Sequence, residues 1–189
     1  MSTHLDACDP LVVDTHDLVR RPGARRSFHG TAPAPAGLGI EVIGVPEGAP
    51  LRLDLDLESV VEGVLVVGTV RAPLVGECSR CLEPVSDEGV HRITELYNYP
   101  GREADEDELF LDDELLDLEP AVRAAIVLDL PFSPLCRPDC RGLCPRCGLN
   151  LNEHPEHEHA DDPDPRWSGL SGLDLGGDRA ADEGPAAGD

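Results

Sequence analysis

From Leu51 the chain alternates strictly. Leu51, Leu53, Leu55 and Leu57 are separated by Arg52, Asp54, Asp56 and Glu58. A period of two puts the leucines on one face of an extended strand and the charges on the other, the pattern of a half-buried strand. Val60 to Val70 continues as β structure, with Gly63 and Gly68 marking a turn, a bulge or sheet curvature. Ala72 to Glu77 leads out of it, and Leu82 to Tyr99 reads as a strand pair or one long bent strand. Short connections between these segments favour antiparallel pairing, because parallel strands need long crossovers. Upstream, Leu11-Val12-Val13 predicts a short strand, followed by a helical turn through Leu18 and Val19 capped by Asp14 or Thr15. Thr31 to Gly39 is rich in Pro, Ala and Gly and predicts a loop.

The period changes to that of a helix over Leu118 to Leu128. Pro120 suits the first turn, Val122, Ala125 and Ile126 form an apolar stripe, and Pro131 and Pro134 end the segment. A short helix through Leu170 and Leu173, with Trp167 beside it, is the last periodic segment. Together these elements predict an α+β fold: a curved antiparallel β-sheet, one main helix and a cysteine-rich module. Residues 1–10 are expected to be a flexible terminus and 11–170 a single domain, with its cysteine-rich module at 135–160. Residues 171–189 form a Gly, Ala and acidic tail too poor in apolar groups to order itself.

Charge alters this picture. Against 38 acidic residues stand 15 basic ones, all arginine, for a net charge of -23. Such a surface repels phosphates over a Debye length and attracts basic proteins, so unaided non-specific binding to nucleic acid is disfavoured. Aromatic residues make up 3% of the chain, which leaves no row of stacking side chains for a single strand. The concentrated positive charge is Arg20, Arg21, Arg25 and Arg26, a candidate partner-binding cluster whose alternative is pairing with the protein's own acidic groups. Acidic residues dominate from Glu103 to Glu119, a solvated loop or a docking surface for a basic partner. No basic segment followed by an apolar run opens the chain, and no apolar stretch approaches the ~20 residues of a membrane span. The expectation is a cytoplasmic protein without a membrane partner.

In a reducing compartment cysteines serve more often as metal ligands or redox groups than as disulfides. Six of the seven cysteines fall in two clusters: Cys78 and Cys81, then Cys136, Cys140, Cys144 and Cys147 in turns rich in Pro and Gly. Thiolates at this density suit a tetrahedral zinc ion in a closed structural site. Gly148, directly after a Cys-x-x-Cys turn, fits a residue that needs positive φ. His157 and His159 lie just beyond, in a His-rich run that also includes His154. The ligand partition stays open at this point. Cys136, Cys140, Cys144 and Cys147 close one site by themselves. Alternatively Cys78 and Cys81 join Cys136 and Cys140, leaving Cys144, Cys147, His157 and His159 as a second site. A third arrangement pairs the knuckles at 78/81 and 144/147. Cys8, at the frayed terminus, reads as an exposed thiol of no consequence.

Three separated motifs carry a family resemblance. Gly76-Glu77-Cys78-Ser79-Arg80-Cys81-Leu82, Asp117-Leu118-Glu119-Pro120, and Pro134-Leu135-Cys136 through Asn152 resemble the YceD family of large ribosomal RNA subunit accumulation proteins. Asp14-Thr15-His16-Asp17-Leu18 and Arg21-Pro22-Gly23 match its N-terminal pattern. The resemblance implies a bacterial factor that supports accumulation of large-subunit (23S) rRNA, acting with a ribosomal protein, pre-ribosomal rRNA, or both, and brings no catalytic residues. Some members of the family lack the later cysteines, which makes any zinc structural. Others carry Cys-x-Cys near His157-Glu158-His159, which favours these histidines as ligands. No phosphate loop, no Gly-x-Ser-x-Gly and no His-Glu-x-x-His is present, so the reading is a non-catalytic protein without a small-molecule substrate. The competing classes are a zinc–thiolate redox or stress sensor and an acidic protein-interaction module.

Overall fold

The computed structural model describes residues 5–101, 108–159, 166 and 169. The chain divides into two compact units, Met1–Pro155 and Glu156–Asp189, and the elements below belong to the first. The expected helix near Leu170 and Leu173, Trp167 and the 171–189 tail lie outside the described residues.

Antiparallel strands build the unit. Strand β5 (Pro50–Ser59) holds the four alternating leucines, each at most 3% exposed, while Arg52, Asp54 and Asp56 face outward. The alternation therefore works as read. A tight turn closed by the Val60 N–H donating to the Gly63 carbonyl reverses the chain into β6 (Gly63–Glu77), and a second reversal at residues 78–83 leads into β7 (Pro84–Asn98). The segment from Leu82 to Tyr99 is thus one long strand. β6 and β7 pair over their full length, from Gly63 opposite Asn98 to Glu77 opposite Pro84. Val64, Val66, Val70, Ala72 and Leu74 of β6 point inward with Ile93 and Tyr97 of β7. Gly68 interrupts this inward row because the β5 backbone at Asp54 and Leu55 comes too close for a Cβ.

One strand was not legible. β2 (Arg25–Pro33) pairs with β5 from Arg25 opposite Glu58 to Pro33 opposite Pro50, and so takes in the start of the loop expected from Thr31 to Gly39. Its inward residues are Arg26, Phe28, Gly30 and Ala32, too mixed to show a period, and pairing with the leucine strand overrides local preference. Two short strands, β3 (Gly39–Ile40) and β4 (Ile43–Gly44), extend the far end of β6. β1 (Val12–Asp14) forms a separate two-stranded ladder with β9 (Leu115–Asp117), and β8 (Leu109–Phe110) runs parallel to the end of β7. The sheet is open, and all its other pairings are antiparallel.

Helix α1 (Glu119–Asp129) packs against β7 and β3 through Ala121, Val122 and Ile126, with Ala125 and Val127 half-buried beside them. Pro120 occupies its first turn, and no side chain caps its N-terminus. At the other end buried His91 of β7 meets Asp129, Nδ1 to Oδ2 at 2.8 Å, tying helix to sheet just before the cysteine-rich segment. Ile126 is fully buried, whereas Leu128 is 84% exposed. Ile126→Ala is expected to destabilise the fold by about 2–5 kcal/mol, and Leu128→Ala by no more than about 0.5 kcal/mol, read by urea unfolding.

A candidate metal centre at the end of the long hairpin

Four thiols converge where the β6–β7 hairpin reverses. Cys78 and Cys81 lie in the reversal itself, and Cys136 and Cys140 come from the loop that follows α1. Their Sγ atoms all lie within 4.8 Å of one another. Cys78 and Cys140 are 3.8 Å apart, and Cys81 and Cys136 are 3.5 Å apart. A tetrahedral ion with metal–sulfur bonds of about 2.3 Å needs sulfur–sulfur edges of about 3.8 Å. No cysteine is disulfide-bonded, and Cys78, Cys81 and Cys140 are buried while Cys136 reaches the surface. Four uncrosslinked thiols at that spacing fit a closed tetrahedral site.

Backbone hydrogen bonds shape the cradle. The Ser79 N–H donates to the Pro134 carbonyl and the Leu143 N–H to the Arg80 carbonyl, stitching the hairpin turn to the later loop on both sides. Arg80 adds a guanidinium bond to the Cys140 carbonyl at 2.8 Å. Two knuckles share one geometry. After Cys78-x-x-Cys81, Leu82 has φ 62 and its N–H donates to the Cys78 carbonyl at 2.9 Å; after Cys144-x-x-Cys147, Gly148 has φ 74 and donates to the Cys144 carbonyl at 2.8 Å. The positive φ expected of Gly148 is present. That of Leu82 was not legible, because a leucine in the left-handed region gives no compositional warning.

The thiols are not equivalent. Burial raises the Cys78 pKa, but backbone N–H groups of Cys136, Arg80 and Cys81 outweigh it and bring the thiol down to about 6. The Asn152 amide, 3.4 Å from the Cys140 sulfur, lowers that thiol despite its burial. Burial and neighbouring sulfurs push Cys136 up to about 12. Cys81 is raised too: Glu83's backbone bond pulls it down, but burial and the Cys78 thiol outweigh that. Two sulfurs are thus drawn towards the thiolate form and two resist ionisation without a cation among them, the charge problem that a divalent ion solves.

Asn152 is the residue that sequence reasoning passed over. Besides the sulfur contact it accepts from the Arg141 N–H and the Arg137 guanidinium, each at 2.8 Å. An antiparallel bridge between Leu143 and Asn150, with the Cys144 N–H donating to the Leu149 carbonyl, folds this segment back over the knuckle. The only hint was its place just after Cys-x-x-Cys-Gly.

Of the remaining candidates, Cys144 is buried and Cys147 exposed in the first unit. In the second, His157 and His159 bring their Nε2 atoms to 3.0 Å. Each pair is a two-ligand element by itself. The arginine cluster is bound up with the protein's own acidic groups: Arg25 pairs with Glu58, Arg26 with Asp17 and the Asp14 carbonyl, and Arg21 reaches the Asp17 carbonyl. Arg20 lines a depression of about 690 Å³ with Tyr99, Asp112, Asp113 and Glu114.

Metal loading should be pH-dependent in a definite direction. Cys81 and Cys136, both raised above the ordinary thiol, hold their protons at neutral pH in the metal-free protein, and ligation releases both. Apparent affinity from these two should fall about 100-fold per pH unit on acidification, checked by chelator competition. Asn152→Ala should weaken the site by about 10–100-fold in the same assay without unfolding the sheet.

Comparison with known proteins places this geometry in context. The family model described as Large ribosomal RNA subunit accumulation protein YceD matches residues 66–174, which take in all but the first three residues of the β6–β7 hairpin, α1 and every cysteine of the two clusters. An uncharacterized protein of Mycobacterium tuberculosis is 51% identical over 166 residues, covering 85% of this chain and 80% of its own. One from Mycobacterium leprae is 40% identical over 178 residues, covering 92% and 82%. A chloroplastic YCED homolog 1 of Arabidopsis thaliana, named as a large ribosomal RNA subunit accumulation protein, is 22% identical over 144 residues, 60% of this chain and 45% of its own. No solved structure matches the chain. With nearly all of its hairpin, its helix and its cysteine clusters inside the matched segment, the chain belongs to the YceD family of large ribosomal RNA subunit accumulation proteins.

Proposed function

We propose that this protein is a non-catalytic factor that supports accumulation of large-subunit rRNA during ribosome assembly. Its family membership over residues 66–174 carries that reading. The acidic surface supports a basic ribosomal protein within a pre-ribosomal particle as its target, since a net charge of -23 attracts cationic chains at long range. The depression beside Arg20, walled by Asp112, Asp113, Glu114 and the Tyr99 ring, has the chemistry to take a basic side chain.

The metal is zinc and its role is structural. A soft four-thiolate donor set favours zinc among common cellular cations, and four protein ligands leave no open position for a substrate. Cys78, Cys81, Cys136 and Cys140 hold one ion. Cys144, Cys147, His157 and His159 are the ligand set that the sequence offers for a second ion, two pairs separated by a short stretch of chain. When bound, the ions would clamp the hairpin end and the post-helix loop as one rigid surface.

Loss of the gene should lower the ratio of large- to small-subunit rRNA, measured in total RNA, and the wild-type gene should restore it. An unchanged ratio would sink the assembly role. Purified protein should carry two zinc ions per chain, and Cys78→Ser with Cys81→Ser should remove one of them.

A further inference from the structure

The outward face of the sheet is a grid of rows, polar on β2 and β5 and mixed on β6 and β7, each crossing all four strands. One row runs Arg25, Glu58, Leu65, Leu96; the next Ser27, Asp56, Val67, Thr94; the next His29, Asp54, Thr69, Arg92. The first three cross-strand pairs are complementary: Arg25 to Glu58 at 2.9 Å, Ser27 to Asp56 at 2.6 Å, His29 to Asp54 at 2.8 Å. In the fourth row, Thr31, Arg52, Arg71, Val90, the pattern breaks. Arg52 and Arg71 stand directly opposite one another, an arrangement that opposes sheet formation. Arg92 lies diagonally next to Arg71.

The rest of the molecule shows that this is not ordinary surface pairing. Arg25, Arg26, Arg52 and Arg123 each have a carboxylate within 4 Å. The side chains of Arg71 and Arg92 are exposed and, among the described residues, make no hydrogen bond or ion pair. Arg52 keeps only a long contact to Glu88 at 3.6 Å. Among the described residues, two adjacent guanidiniums are left without a carboxylate on a face whose β2–β5 pairs are matched. Violation of local consistency at one place is the mark of a functional site.

We infer that Arg52, Arg71 and Arg92 form a docking face for the phosphodiester backbone of RNA. This rests on the proposed role in rRNA accumulation and names the partner that role would engage directly. Guanidinium forks match phosphate oxygens bidentately. Three of them on adjacent strands about 4.8 Å apart suit an extended polyanion better than a single enclosed anion. Thr31, Thr69 and Thr94 lie among them on the same face and add neutral donors of the kind that position a backbone without reading sequence. A depression of about 500 Å³ on this face is lined by His29, Thr31, Arg52, Asp54 and Arg71. The global negative charge does not forbid this contact, since salt screens it beyond about 8 Å. The nearest carboxylates, Asp54 and Glu88, are engaged by His29 and Arg52.

The test uses the full chain and an in vitro transcript of large-subunit rRNA, with affinity followed from 50 to 200 mM salt. Replacing the three arginines together (R52Q, R71Q and R92Q) should flatten the log–log salt slope by about 2–3 and weaken binding at every salt concentration. Thermal stability should not fall, because the opposed Arg52–Arg71 charges are gone. Glu88→Gln should act the other way, raising affinity by up to about fivefold as Arg52 is freed. Arg25→Gln, on the same face but paired with Glu58, should leave the slope nearly unchanged. Equal slopes for wild type and triple variant would overturn the assignment. So would a wild-type chain that ignores the transcript yet captures a purified basic ribosomal protein, and in that case the assembly role stands on the protein contact. Loss of the assembly role shows separately, as an unchanged rRNA ratio on gene deletion.

Discussion

The closest sulfur approach joins distant parts of the chain. Cys78 and Cys140 meet across 62 residues, and Cys81 and Cys136 across 55. Everything between them has to be in place for that meeting: the return of β7, its parallel contact with β8, and α1 laid on the sheet. The site is therefore a report on the whole fold. Burial of three of the thiols leaves them no water to fall back on, so the arrangement needs either protons or a shared cation to be stable.

How the sheet reads from sequence depends on which strand is asked. β5 announced itself because one face is all leucine and the other all polar. β2, its partner, was hidden: its inward positions are Arg26, Phe28, Gly30 and Ala32, and only the neighbouring strand supplies the reason to extend. α1 was legible from Pro120 and its apolar stripe, and the cysteine clusters from spacing. The partition of ligands was not. Spacing alone allowed Cys136 and Cys140 to close with Cys144 and Cys147, and the choice of Cys78 and Cys81 depends on where β6 reverses, a three-dimensional fact. Asn152 and the left-handed Leu82 were silent for a related reason. Their roles come from one hydrogen bond and one dihedral angle, neither of which leaves a pattern.

Charge in this molecule is sorted. Arg25, Arg26 and Arg123 tie sheet and helix to their own acidic neighbours, so half of the cluster from Arg20 to Arg26 is paired in this way. The exceptional positions lie mid-sheet, on the long strands whose far end carries the thiols. A rigid hairpin thus has two chemically distinct regions, one facing solvent with unmatched cations and one folded inward around sulfur. The carboxylate-rich remainder sets the long-range field, and the sheet face sets what happens at contact distance.

The order in which the ligands are made has a consequence of its own. Synthesis delivers Cys81 55 residues before Cys136, a lag of about 3–11 s at ordinary elongation rates. Throughout that interval the hairpin turn presents a reactive thiol pair with half a coordination shell, and Asn152 arrives later still. A growing chain that captured metal too early would hold it by two sulfurs only, loosely enough to release it. With a metal in the site, the distance in sequence between the two cysteine clusters would act as a timer, reserving tight capture for chains whose strands and helix have already been made.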